Sequence, residues 1–235
     1  MSNLTKPNKI TVGGGLHARI READLLKEAI KIDLTTYPNR LAIICDFSGS
    51  MGSYESNLLH DDMKSKLRLL SEAVQDFALR SNPADTAVAV ESFPSGFRID
   101  LTNDSQQIYM RMIGIPTFGD TPMGEGLRNG LTHHKPTRAM LISDGEATDG
   151  DSSYEEANKY KSNEIIIDCV HIGDSTSGEE RLKRIASITG GIYLKFKDVN
   201  SFSSNFHYLL PESRATIAGM LPYEVERLLG ANEVK

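Results

Sequence analysis

Short unbroken apolar runs alternate along this chain with stretches whose apolar residues recur every three or four positions. The run Leu41–Phe47 is apolar except for Asp46, which suits a strand covered on both faces, as in a parallel sheet. From Lys64 to Arg80 the apolar residues Leu67, Leu70, Ala73, Val74, Phe77 and Ala78 follow a helical period. Asp85–Phe93 and Phe97–Leu101 read as strands, and Pro94-Ser95-Gly96 between them is a turn signal, so the pair predicts a hairpin. Helices are then expected at Ser105–Ile113, Pro122–Thr132, Ser153–Ser162 and Glu179–Thr189. Strands are expected at Arg138–Ser143, Glu164–Ile172 and Ile192–Phe196. Gly190-Gly191 marks a helix end, where the chain needs a positive φ.

That alternation predicts an α/β fold: a Rossmann-like, doubly wound, mostly parallel sheet with helices on both faces and one antiparallel edge strand from the hairpin. Residues 1–39 form an N-terminal extension, in which an amphipathic helix is expected over Leu16–Ile32 after the Gly13-Gly14-Gly15 hinge. Residues 40–210 form the α/β domain. Residues 211–235 form a C-terminal helical extension, with a short helix expected near Tyr223–Leu229; another is expected at Ser201–Leu210.

Composition narrows the function classes. The 235 residues are 39% hydrophobic and 25% charged, an ordinary globular profile. With 26 basic and 32 acidic residues the net charge is -6, and no basic cluster with interleaved aromatics appears, which argues against nucleic-acid binding. Cys45 and Cys169 sit inside apolar strand runs and are expected as buried, reduced thiols rather than a disulfide or a zinc site. The opening MSNLTKPNKITVGGG lacks the apolar core of a secretory signal, and no apolar stretch reaches membrane-spanning length, so no membrane association is expected and the cytoplasm is the default compartment.

In such folds ligands bind beyond the carboxyl ends of the strands. Three loops there carry polar side chains: Asp46-Phe47-Ser48-Gly49-Ser50 after the first strand, Asp144-Gly145-Glu146 after the Arg138–Ser143 strand, and Gly119-Asp120-Thr121-Pro122 ahead of a helix. They supply carboxylates and hydroxyls with no His or Cys. Hard oxygen donors suit Mg²⁺, Mn²⁺ or Ca²⁺ better than Zn²⁺.

Asp46-x-Ser48-x-Ser50, a Thr in GDTP and an Asp in SDG resemble the metal-ion-dependent adhesion site of von Willebrand factor A (vWA) domains. The matched positions are Asp46, Ser48, Ser50, Thr121 and Asp144, and the resemblance covers about Arg40 to Leu210. It implies that Ser48, Ser50 and Thr121 offer hydroxyls to the ion, with Asp46 and Asp144 binding directly or through water. An ion held mainly by neutral hydroxyls and water stays electrophilic, so an Asp or Glu of a partner protein can complete its shell. The resemblance thus implies a non-enzymatic, metal-dependent protein-binding module. The chain looks most similar to compact intracellular bacterial or phage members, such as the TerY-like proteins of tellurite-resistance loci. Their implied partners are MoxR-type AAA+ ATPases or other subunits of a multi-protein complex. One position departs from the family pattern: Asp120 stands where a glycine is common, and is expected to face solvent.

Other readings compete. Asp46 and Asp144 are also common turn and cap residues, and Thr121 before Pro122 fits an N-cap, a role compatible with metal binding. A haloacid-dehalogenase-type phosphatase also places an Asp at the end of its first strand, but needs a second Asp where this chain has Ser48. A structural or assembly component of a phage or secretion particle would use the ion only to hold loops. Glu91, acidic within an apolar strand, is expected to face a sheet edge. His133-His134 end a helix, where positive charge is favoured. His171 is expected as a core or edge histidine, and His60, Asp61 and Asp62 as a solvated loop beside Tyr54, Leu58 and Leu59.

Overall fold

The computed structural model describes residues 34–52, 66–112, 115–117, 119–143, 147–148, 152–172, 175–196 and 233–234. The expected helices at 16–32, 201–210 and 223–229 and the loop holding Tyr54, His60 and Asp62 lie outside these residues. Within them the order is β1 (Asn39–Asp46), α1 (Lys66–Arg80), β2 (Thr86–Phe93), β3 (Arg98–Thr102), α2 (Ser105–Met112), α3 (Met123–His134), β4 (Arg138–Ser143), α4 (Ser152–Ser162), β5 (Ile166–Ile172), α5 (Thr176–Thr189), β6 (Tyr193–Phe196) and β7 (Glu233–Val234).

The sheet order is β3-β2-β1-β4-β5-β6-β7. Strands β2, β1, β4, β5 and β6 run parallel, and β3 joins β2 antiparallel with a bulge between Val88 and Val90. The hairpin therefore supplies the expected antiparallel edge. At the other edge the two-residue β7 pairs antiparallel with β6, an addition no periodicity in so short a segment could signal. Winding leaves β1 in both directions, toward β2 on one side and β4 on the other. Doubly wound sheets bind ligands at this switch point, beyond the strand ends.

Side-chain alternation on β1 builds both cores. Leu41, Ile43 and Cys45 face one way, against Leu70, Val74 and Phe77 of α1 and Ile108 and Met112 of α2. Ile44 faces the other way, against Leu127 of α3, Tyr160 of α4 and Leu182 and Ile185 of α5. β1 is thus buried on both faces, which is why its sequence shows no polar alternation. Among the described residues no helix is long and apolar enough to cross a membrane.

Several boundaries moved for local reasons. α5 starts at Thr176, three residues before the expected Glu179, because Ser175 caps it by accepting a hydrogen bond from the Gly178 N–H at 3.4 Å. β5 starts at Ile166 because the preceding residues still bond to the last turn of α4: Glu164 N–H donates to the Lys161 carbonyl and Ile165 N–H to that of Tyr160. The Gly190-Gly191 signal holds in detail. Gly190 closes α5 at φ 75°, and a Cβ on Gly191 would lie 1.9 Å from the Ile167 carbonyl oxygen. Beside it, buried Asp168 accepts from the Ile192 N–H at 2.8 Å while pairing with Arg138, which fixes where β6 begins.

Glu91 corrects an expectation. It lies on β2 between β1 and β3, not at an edge, and is 1% exposed. A buried carboxylate needs partners. Here Oε2 takes hydrogen bonds from His133 Nδ1 at 3.1 Å and His134 Nε2 at 3.2 Å, both at the end of α3. This is a hydrogen-bonded cluster, since among the described residues no group of three or more His, Cys, Asp or Glu side chains could hold a metal ion. His171 is a core histidine, 0% exposed, with Nδ1 3.2 Å from the Tyr193 hydroxyl.

Candidate metal centre

The site is built on the last residue of β1. The Phe47 N–H donates to the Phe93 carbonyl at 2.7 Å, carrying the β1–β2 pairing one step past Asp46. The chain then turns through a 3-10 turn at Gly49–Gly52, where the Met51 N–H bonds the Ser48 carbonyl at 3.0 Å. Phe47 and Met51 are both fully buried in the core beneath. These two apolar anchors hold the loop in place, leaving Ser48 buried and Ser50 exposed.

Asp46 is 0% exposed. Its Oδ1 accepts from the Ser48 N–H at 2.8 Å and its Oδ2 from the Ser143 hydroxyl at 2.6 Å. Both of these donors are neutral groups, and together they orient the carboxylate. The Ser48 and Ser50 hydroxyl oxygens lie 3.0 Å apart. Two oxygens each about 2.1 Å from an octahedral Mg²⁺, at right angles, are separated by about 3.0 Å. The hydroxyl pair thus has the spacing of adjacent ligands on such an ion, and the donor set is all hard oxygen.

Thr121 stands at the neighbouring junction, 7% exposed. It does not cap α3: Pro122 occupies the N-cap position and no side chain caps this helix. The helix begins one residue later than a Thr cap requires, so the expected capping role falls away. Instead the Thr121 N–H donates to Thr148 Oγ1 at 3.1 Å and the Thr148 N–H donates to the Thr121 carbonyl at 3.0 Å. That reciprocal clasp ties the Thr121 segment to the loop that follows β4. The start of α3 also presses on β2, with a Cβ on Gly126 placed 2.4 Å from the Phe93 ring. Phe93 is the register partner of Asp46.

Asp46, Ser48 and Ser50 are therefore joined in one hydrogen-bonded set, and Thr121 is clasped to the adjoining loop. Asp144 lies outside the described residues, directly after Ser143. Asp120 is exposed. Sequence reasoning missed Ser143 and Thr148; Ser143 carried the only available signal, a hydroxyl ending an otherwise apolar strand. Both thiols are buried and free, as expected. Burial first, and the Asp46 charge second, pushes the Cys45 thiol far above the ordinary range; burial and then Asp168 do the same for Cys169.

No protein-family profile matches the chain, and no curated protein sequence does. Solved structures do. The VWA domain of SpRpn10 is similar at TM-score 0.54 and 15% identity, over 69% of this chain and 94% of that one. The chain has the vWA fold. The conserved hypothetical protein BatB from Bacteroides thetaiotaomicron is similar at TM-score 0.57 and 18% identity, over 72% of this chain and 95% of that one. Proximal thread matrix protein 1 from the mussel byssus, with a zinc-occupied metal-ion-dependent adhesion site, is similar at TM-score 0.55 and 18% identity, over 91% of this chain and 52% of that one. At these identities the likeness speaks for the vWA fold alone.

Proposed function

We propose that this vWA domain is a protein-binding module that holds a divalent cation at Asp46, Ser48, Ser50, Thr121 and Asp144 and engages an acidic side chain of a partner. The observation that carries the reading is the arrangement at the end of β1: a buried carboxylate oriented by neutral donors, beside two hydroxyls at ligand spacing. A vWA-fold protein with zinc in the corresponding type of site supports it. Mg²⁺ is the preferred ion, with Mn²⁺ or Ca²⁺ as substitutes, because it favours oxygen donors and retains exchangeable waters. When bound, such an ion supplies an electrophilic position that a carboxylate can occupy. The protein's own contribution is to bury the Asp46 carboxylate while offering neutral hydroxyls from Ser48 and Ser50.

The same geometry supports a non-enzymatic role. A phosphatase of the haloacid-dehalogenase kind needs an exposed Asp nucleophile and a second Asp two residues on. Here Asp46 is fully buried with both oxygens accepting hydrogen bonds, and the second position is Ser48. The proposed partner is another subunit of a multi-protein complex, of which a MoxR-type AAA+ ATPase is one candidate.

Affinity capture with Mg²⁺ or with EDTA tests the reading. Partners should be retained with Mg²⁺, lost with EDTA, and lost in a Ser48→Ala/Ser50→Ala variant that still folds. Capture unchanged by chelation, with only the melting temperature lowered, would favour a purely structural ion.

A further inference from the structure

We infer that Ser143 is a positioning residue for the metal centre: its hydroxyl fixes the orientation of Asp46 and thereby sets the affinity for the cation. The inference rests on the proposed function and extends it to a residue outside the expected ligand set. Ser143 is the last residue of β4, one step beyond the Cys45–Ile142 pair of the parallel register, and so stands level with Asp46 across the switch point. Both side chains are 0% exposed. The 2.6 Å hydrogen bond from Ser143 to Oδ2 is short, as charge-assisted O–H···O bonds are.

The geometry assigns a specific task to this bond. A carboxylate on a rigid strand still rotates about its Cβ–Cγ bond. The Ser48 N–H holds Oδ1 from the loop side and the Ser143 hydroxyl holds Oδ2 from β4. With each oxygen held by its own donor, the plane of the carboxylate is fixed. The two donors come from different elements, so the bond also couples the end of β1 to the strand that leads directly into Asp144. Removing a partner of this kind typically weakens metal binding 10–100-fold, because the ligand must be re-oriented at each binding event.

Calorimetric titration of the full chain with Mg²⁺ and with Mn²⁺ tests this, alongside thermal melts in EDTA. Ser143→Ala should bind both ions at least about 10-fold more weakly than wild type. Ser143→Thr, which keeps the hydroxyl, should bind within about twofold of wild type, a rescue that follows the hydroxyl and not the packing. Should the alanine variant fail to fold, Ser143→Cys preserves the volume with a weak donor and should show the same weakening. Wild-type affinity in a folded Ser143→Ala protein (or, failing that, in Ser143→Cys) overturns the inference and leaves the metal centre standing. So does a threonine variant as weak as alanine. If the wild-type chain binds neither ion, the proposed function itself fails, and the role of Ser143 with it.

Discussion

Glu91→Ala is the perturbation whose cost the fold states most clearly. The carboxylate is 1% exposed on a strand flanked on both sides, and one oxygen takes hydrogen bonds from two imidazoles. Those imidazoles are not equivalent. The His133 side chain is 34% exposed and can turn to water, whereas the His134 side chain is 1% exposed and cannot. Truncation therefore strands one buried imidazole nitrogen, at about 1–3 kcal/mol. It also leaves a void beneath α3, so about 3 kcal/mol is expected in total, within the range for breaking one side of a buried pair. Glu91→Gln keeps an acceptor oxygen and should lose only about 1 kcal/mol. Urea unfolding followed by far-UV circular dichroism measures both, and a cycle with His134→Ala should show coupling above about 1 kcal/mol. The Mg²⁺ affinity of Glu91→Gln should equal that of wild type, because Glu91 pairs with Ile44, two residues below Asp46. A loss below 1 kcal/mol in Glu91→Ala, with no coupling to His134, would refute this account of the cluster.

Three further outcomes follow from particular contacts. Gly191→Ala drives a Cβ into the Ile167 carbonyl oxygen and should cost about 2–4 kcal/mol in the same unfolding assay, while a neutral substitution would contradict the close β5–β6 approach. Cys45 and Cys169 should resist a thiol reagent in the native protein and both react in denaturant; prompt labelling without denaturant would show that one is exposed. The Glu179 carboxyl is pulled from 4.5 to about 2, first by hydrogen bonding to Lys183 and then to Lys195. A depressed folded value means the stabilisation is complete above about pH 4.5 and disappears as pH falls toward 2, so Glu179→Gln should flatten the acid limb of a stability profile, and an unchanged limb would contradict the triad.

The strands and helices that position the site were legible because each carries an apolar run or a helical period: Leu41–Phe47 could hardly be anything but a doubly covered strand. Three of the expected ligands, Asp46, Ser48 and Ser50, are close in sequence and form a connected set, since a loop curling off a strand end brings alternate residues together. What escaped depends on tertiary pairing. Glu91 looked like an edge residue because its histidine partners lie more than 40 positions away. Ser143 meets Asp46 only through the β1–β4 register, and Thr148 clasps Thr121 only through the meeting of two loops. No periodicity along one segment encodes those encounters.

The proposed function stands or falls on a cation seated on the hydroxyls at the end of β1. Anomalous diffraction from crystals grown with Mn²⁺ tests it most directly. One strong peak is expected about 2.1 Å from the Ser48 and Ser50 hydroxyl oxygens, lost in Ser48→Ala/Ser50→Ala. A Mn²⁺ peak elsewhere in the molecule, or none at saturating Mn²⁺, would contradict it.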